Sequence, residues 1–114
     1  MPDYHSDNAA GVHPNIFDAL LNANAGSSAP YGADRWTPRV NSAFSDLFET
    51  ECHVFSTPTG TAANGLALGA ITPSYGAIFC HADAHILTTE CGAPEFFSNG
   101  ARLIPSVGAN GEIT

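Results

Sequence analysis

Apolar residues recur along the chain in short runs separated by glycine, proline and small polar residues, and the spacing inside each run predicts an element. The first eleven residues show no apolar periodicity, and Ser6, Asp7 and Asn8 ahead of Gly11 predict an extended arm. Pro14 suits the first position of a helix whose stripe is Ile16, Phe17, Leu20, Leu21 and Ala23, stopped by Gly26. Gly26 to Asp34 reads as a loop. Thr37 can then cap a second helix with Pro38 in its first turn, and Val40, Phe44, Leu47 and Phe48 at i, i+4, i+7 and i+8 predict one buried face. His53 to Thr57 has the apolar and β-branched content of a short strand, and it runs through Pro58-Thr59-Gly60-Thr61 into the small-residue helix AANGLALGAI. Ala77 to Cys80 and Arg102 to Pro105 repeat the strand signal around a short helix at Ala93 to Ser98, which Asn99-Gly100 stops. Asn110-Gly111 marks a turn. Strands and helices alternating at this spacing predict an α/β fold with a mostly parallel sheet and flanking helices.

Composition suggests that the element list is incomplete. Charged residues make up 12% of the 114 residues, about half the ~25% of typical soluble domains, so the chain is expected to be part of something larger. Its last residue, Thr114, is a cap residue with no helix behind it. Eleven acidic residues against three basic ones give a net charge of -8, which excludes the basic face needed for nucleic acid or an anionic membrane. No run approaches ~18 apolar residues and the N-terminus lacks the layout of a signal peptide, so a soluble, cytoplasmic chain is expected. Cys52, Cys80 and Cys91 are odd in number and irregular in spacing, as reduced thiols are. Lysine is absent. Any chemistry that needs a lysine Schiff base cannot be completed by these residues alone.

Two segments carry candidate chemistry. Thr59-Gly60-Thr61 sits between a predicted strand and a predicted helix, where free amides, two hydroxyls and the positive end of the helix dipole favour an anion. Taken alone, it is equally a threonine cap and a glycine turn. The second segment is CHADAHILTTECGAPEF, Cys80 to Phe96, placed after a strand where α/β proteins carry ligand-contacting loops. His81, His85, Glu90 and Cys91 could ligate zinc in a small metal-dependent hydrolytic module, although HExxH and CxxC spacings are absent. Alternatively, a neutral imidazole there can lie on a ring-shaped cofactor with Glu90 setting its orientation. His5, His13, His53, Ser6, Asp7 and Tyr31 read singly as turn or surface residues, and Arg35, Arg39 and Arg102 as partners of carboxylates.

In combination these segments resemble a known family. The order SDN, GxHPxI and AL, then YGAD with Thr37 three residues on, then PTGTAANGLAL, then CHxxAHI, ECGAPEF and GARL, is similar to the N-terminal part of the low-specificity L-threonine aldolases. These belong to the β-eliminating lyase group of fold type I pyridoxal 5'-phosphate (PLP) enzymes. The resemblance runs from about Ser6 to Thr114. It implies an arm and first helix over 1–26 and the beginning of the PLP-binding large domain over 27–114, about one third of a family chain. It also implies a homodimer or homotetramer with active sites at subunit interfaces, acting on a small amino-acid substrate.

The resemblance assigns roles by position. Thr59, Gly60 and Thr61 match the phosphate-binding turn, and His85 the histidine that stacks on the pyridine ring. Glu90 matches the carboxylate of the same motif. Ser6 matches the arm serine that contacts the substrate carboxylate, and Tyr31 the active-site tyrosine of the YGxD motif. His85, Glu90 and Tyr31 are thus the expected catalytic residues. Retro-aldol cleavage of L-threonine or allo-threonine to glycine and acetaldehyde is the implied reaction. The Schiff-base lysine, the aspartate for the pyridine nitrogen and the carboxylate-binding arginines belong to later family segments, so this stretch alone is expected to be inactive. One departure stands out: Asp-Pro often follows the YG pair in the family, whereas Asp34 here precedes Arg35-Trp36.

Overall fold

The computed structural model describes residues 9–113 and divides the chain into two units, Met1–Val54 and Phe55–Thr114. In the first unit, α1 spans Pro14–Ala23, with Pro14 in its first turn and the His13 ring accepting from the Asn15 amide. Helix α2 spans Thr37–Phe48. Its cap differs from the sequence expectation, because Asp34 rather than Thr37 satisfies the helix start. Asp34 Oδ1 accepts from the Trp36 and Thr37 amides at 2.7 and 2.9 Å, and Oδ2 accepts from the Thr37 hydroxyl at 2.7 Å. A carboxylate can take three donors at once, which a threonine hydroxyl cannot.

Two further expectations fail in this unit. Neither α1 nor α2 contains a buried residue, so the predicted apolar faces lie open, with Phe17 and Leu20 both more than half exposed. The arginines Arg35 and Arg39 make no ion pair among the described residues and instead lie over the Trp36 ring, 4.6 and 5.0 Å from its centroid. Indole faces attract weakly hydrated guanidinium groups, so Trp36 gathers both cations of this unit.

The predicted strand at His53 to Thr57 is also absent. Strand hydrogen bonding needs a neighbour, and two amides at the start of this stretch are used locally. The Cys52 amide donates to Ser45 Oγ and the Val54 amide to Asn41 Oδ1, both at 2.9 Å. Phe55 is left 85% exposed.

The second unit holds the sheet. Helix α3 spans Gly60–Ile71, β1 Ala77–His81, α4 His85–Thr88, α5 Ala93–Phe97 and β2 Arg102–Ser106, followed by a 3-10 turn at Ala109–Gly111. Strands β1 and β2 are parallel, in a register that sets Ala77 opposite Arg102 and His81 opposite Ser106. The α4–α5 segment is therefore their crossover. Asn99 and Gly100, both at positive φ, end α5 as expected. Buried Ser98 fastens that end: its hydroxyl donates to the Pro94 carbonyl and accepts from the Ala101 amide.

Helix α3 meets α5 through glycines. A methyl group on Gly65 would stand 2.6 Å from Phe97 Cδ2, and one on Gly69 would stand 2.7 Å from the Phe97 carbonyl oxygen. Gly65 and Gly69 are one turn apart on the same face, so α3 presents bare backbone to α5.

Two outcomes follow for a full-length protein carrying this segment. Gly69→Ala should destabilise it by about 1–3 kcal/mol in denaturant unfolding, because the obstructing atom is backbone and cannot rotate away; the ~1 kcal/mol gain in helix propensity is too small to offset this fully. Asp34 tests the α2 cap. The Thr37 hydroxyl, then the Thr37 and Trp36 amides, hold its carboxyl pKa below the ordinary value of 3.8. Its stabilisation is thus complete above that value and disappears as pH falls through the lower folded one. Hydrogen-exchange protection of the Trp36 and Thr37 amides should show this acid loss in the wild type. In Asp34→Ala protection should be weak at every pH.

Candidate active site

Helix α3 begins at Gly60, with Thr59 as its extended N-cap (φ -145°, ψ 157°). Thr59 Oγ1 accepts from the Ala62 amide at 3.1 Å, and the Thr59 carbonyl accepts from the Ala63 amide. The Gly60 and Thr61 amides are the helix donors left without an intrahelical acceptor. Nothing lies within 4 Å of where a Gly60 Cβ would stand, so the space beside the Gly60 backbone is open. Having used an acceptor position for the cap, the Thr59 hydroxyl keeps its proton to donate.

Four residues after Gly60, about one turn or ~6 Å along α3, comes Asn64. Its side-chain Nδ2 donates to Glu90 Oε1 at 2.7 Å. The same oxygen lies 2.8 Å from His85 Nδ1. Glu90 is thereby held between the two, with its side chain fully buried, while the His85 side chain is 69% exposed. Among the described residues, the other carboxylate oxygen, Oε2, is buried without a partner. The Asn64 Nδ2 group only donates, so Oε1 is its acceptor, and an ionised carboxylate oxygen this close to a ring nitrogen accepts from that nitrogen when it carries the proton. His85 Nε2 has no hydrogen-bond partner among the described residues.

Local backbone explains these positions. His85 opens α4 just beyond the C-terminal end of β1, the end at which parallel sheets carry ligands. Glu90 is the first residue of a tight turn closed by the Ala93 amide donating to its carbonyl at 3.0 Å, with Cys91 and Gly92 both at positive φ. For Cys91 that conformation is uncommon. Helix α5 then starts at Ala93, and Phe97 at its far end packs against the α3 glycines.

The other expected residues are distributed differently. Tyr31 belongs to the first unit, fully exposed in a turn where it and Gly32 both have positive φ and the Ala33 amide donates to the Pro30 carbonyl. Ser6 lies outside the described residues. His81 is a structural tie: its Nδ1 accepts from the Asp83 amide at 3.1 Å and its Nε2 lies 3.2 Å from the Gly108 carbonyl. Cys91 is exposed. Among the described residues no three of His, Cys, Asp and Glu are grouped to hold a metal ion, so the zinc alternative gains no support. Asn64 was not singled out from the sequence, although it is the single amide in a helix otherwise built of small and apolar residues plus one threonine.

A strand end, a helix start with unpaired amides and a carboxylate-held imidazole come together in one α/β segment. The family model for beta-eliminating lyases matches residues 3–114, and the chain belongs to that family. Its relatives include the low specificity L-threonine aldolases of Pseudomonas aeruginosa and of Pseudomonas sp., 47% and 46% identical over 111 residues. Each alignment covers 97% of this chain and 32% of the relative, so the chain spans about a third of the length of the curated relatives it matches. A solved structure of Leishmania major threonine aldolase is also similar, with a TM-score of 0.80 and 25% identity over 92% of this chain and 30% of that one. The fold is accordingly a partial α/β domain of the PLP fold type I class.

The buried carboxylate offers a direct stability test. Glu90→Ala should destabilise the full-length protein by about 1–2 kcal/mol in urea unfolding, because it empties a buried side-chain position and removes the acceptor shared by Asn64 Nδ2 and His85 Nδ1. A change under ~0.5 kcal/mol would mean that the carboxylate does not organise this unit.

Proposed function

We propose that this chain is the cofactor-gripping N-terminal third of a PLP-dependent lyase that cleaves β-hydroxy-α-amino acids, L-threonine or allo-threonine, to glycine and acetaldehyde. The observation that carries this reading is the hydrogen-bonded chain Asn64–Glu90–His85, anchored through Asn64 on the helix headed by Thr59-Gly60-Thr61. The donor set fits the cofactor's phosphate: two free amides, the Thr59 and Thr61 hydroxyls and the positive end of a twelve-residue helix. Kinship with threonine aldolases over almost the whole chain supports the same reading.

When bound, PLP supplies the electron sink that allows the Cα–Cβ bond of the amino acid to break. The chain's own residues then grip, orient and move a proton. Gly60 and Thr61 amides, with the Thr59 and Thr61 hydroxyls, hold the phosphate. The exposed face of His85 covers the cofactor ring, and Glu90 keeps the His85 proton on Nδ1, which leaves Nε2 with a lone pair. Nε2 is the atom suited to take the β-hydroxyl proton, directly or through a water, as the aldehyde forms. Tyr31 and Ser6 are assigned to the substrate side through the family resemblance. The complete protein on this reading is a cytoplasmic homodimer or homotetramer with shared active sites, and the open apolar stripes of α1 and α2 support further protein contacts there.

Purified full-length protein should be yellow with PLP and should release acetaldehyde from threonine. His85→Asn should keep the colour and lower the cleavage rate by roughly 10²-fold or more, as loss of an acid–base group does. A colourless protein with no affinity for PLP would overturn the reading, and unchanged turnover in His85→Asn would remove that residue from the proton transfer.

A further inference from the structure

We infer that Asn64 is a positioning residue, which acts through Glu90 to select the Nδ1-H tautomer of the neutral His85 ring and so to place the ring's lone pair on Nε2. The inference rests on the proposed function for its catalytic consequence, but its structural claim stands apart from cofactor and substrate. A carboxylate facing only one neutral imidazole can pivot and can present either oxygen. Here Oε1 is held from the opposite side by the Asn64 amide at 2.7 Å, while His85 Nδ1 lies 2.8 Å away. Two donors on one oxygen set both the direction and the acceptor role of the carboxylate.

The reach of Asn64 is short, with Nδ2 only three bonds from Cα, and it spans the gap because the next residue is Gly65. Any side chain at Gly65 would meet the Phe97 ring at 2.6 Å and push α3 away. The helix that carries the anion-ready amides therefore also carries the group that orients the imidazole. A shift of α3 moves both together.

The test uses the full-length protein without added cofactor, labelled with ¹⁵N-histidine, and long-range ¹H–¹⁵N spectra that distinguish the two imidazole tautomers. The His85 signal is assigned by its loss in His85→Asn. At a pH where the His85 ring is neutral, wild type should show the Nδ1-H tautomer alone. Asn64→Ala, and the volume-preserving Asn64→Leu, should show a mixture of tautomers at His85 with the other histidines unchanged. With PLP and threonine, both variants should lose roughly tenfold in kcat, with KM changed less than threefold, in the range seen when a group behind a functional histidine is removed. An Nε2-H tautomer in the wild type, or an unaltered His85 signal in a folded Asn64 variant, would overturn the inference. The wild-type spectrum decides the tautomer even if neither variant folds. Absence of lyase turnover alongside the expected spectra would refute the proposed function, including the catalytic consequence for Asn64, and support the structural claim.

Discussion

The second unit depends on how closely α3 can approach α5. Gly65 and Gly69 offer no side chain on the facing surface, and Phe97 occupies the space with its ring and its carbonyl. Close backbone approach is a one-sided constraint, since a larger residue at either glycine separates the elements and no smaller one exists. The distance it sets decides whether Asn64 meets Glu90. That contact in turn decides whether Glu90 is a buried, directed acceptor or a loose surface carboxylate.

Burial of Glu90 has a cost that the neighbouring groups only partly offset. A desolvated carboxylate is tolerated when donors surround it, yet Oε2 has none among the described residues. The Cys91–Gly92 turn, with a non-glycine residue at positive φ, adds some strain at the same place. An unpartnered buried oxygen and a strained turn, adjacent to each other and to an exposed imidazole, depart from simple stability. Departures of that kind concentrate where structure serves binding or chemistry.

Several elements were legible because their signals are local. Pro14 and Gly26 bracketed α1, Asn99-Gly100 ended α5, and both strands of the parallel pair were visible as apolar runs. What the sequence hid was non-local or competitive. The run at His53 to Thr57 has strand composition, but a strand requires a partner, and the side chains of Asn41 and Ser45 capture neighbouring amides instead. Asp34 displaced Thr37 as the α2 cap because both cap by the same rule and geometry chooses the stronger acceptor. His85 and Glu90 were legible as a pair by motif. Their link to Asn64 was not, because it joins positions 26 residues apart across a crossover. A lone amide in a helix of small residues was the available signal.

Electrostatics explains why an anion site in this unit must be built from backbone. The chain carries a net charge of -8 and three cations. Arg35 and Arg39 lie over Trp36 in the first unit, and Arg102 opens β2 opposite Ala77, at the strand ends remote from the loop that carries His85. No side-chain cation of this unit is left for a phosphate beside the imidazole. Amides at a helix start do not depend on net charge: they are oriented by the helix, cannot be neutralised by proton loss, and keep their donors aimed outward. Gripping and proton transfer can thus be supplied by these residues, whereas covalent capture of a carbonyl requires an amine that a lysine-free stretch does not possess.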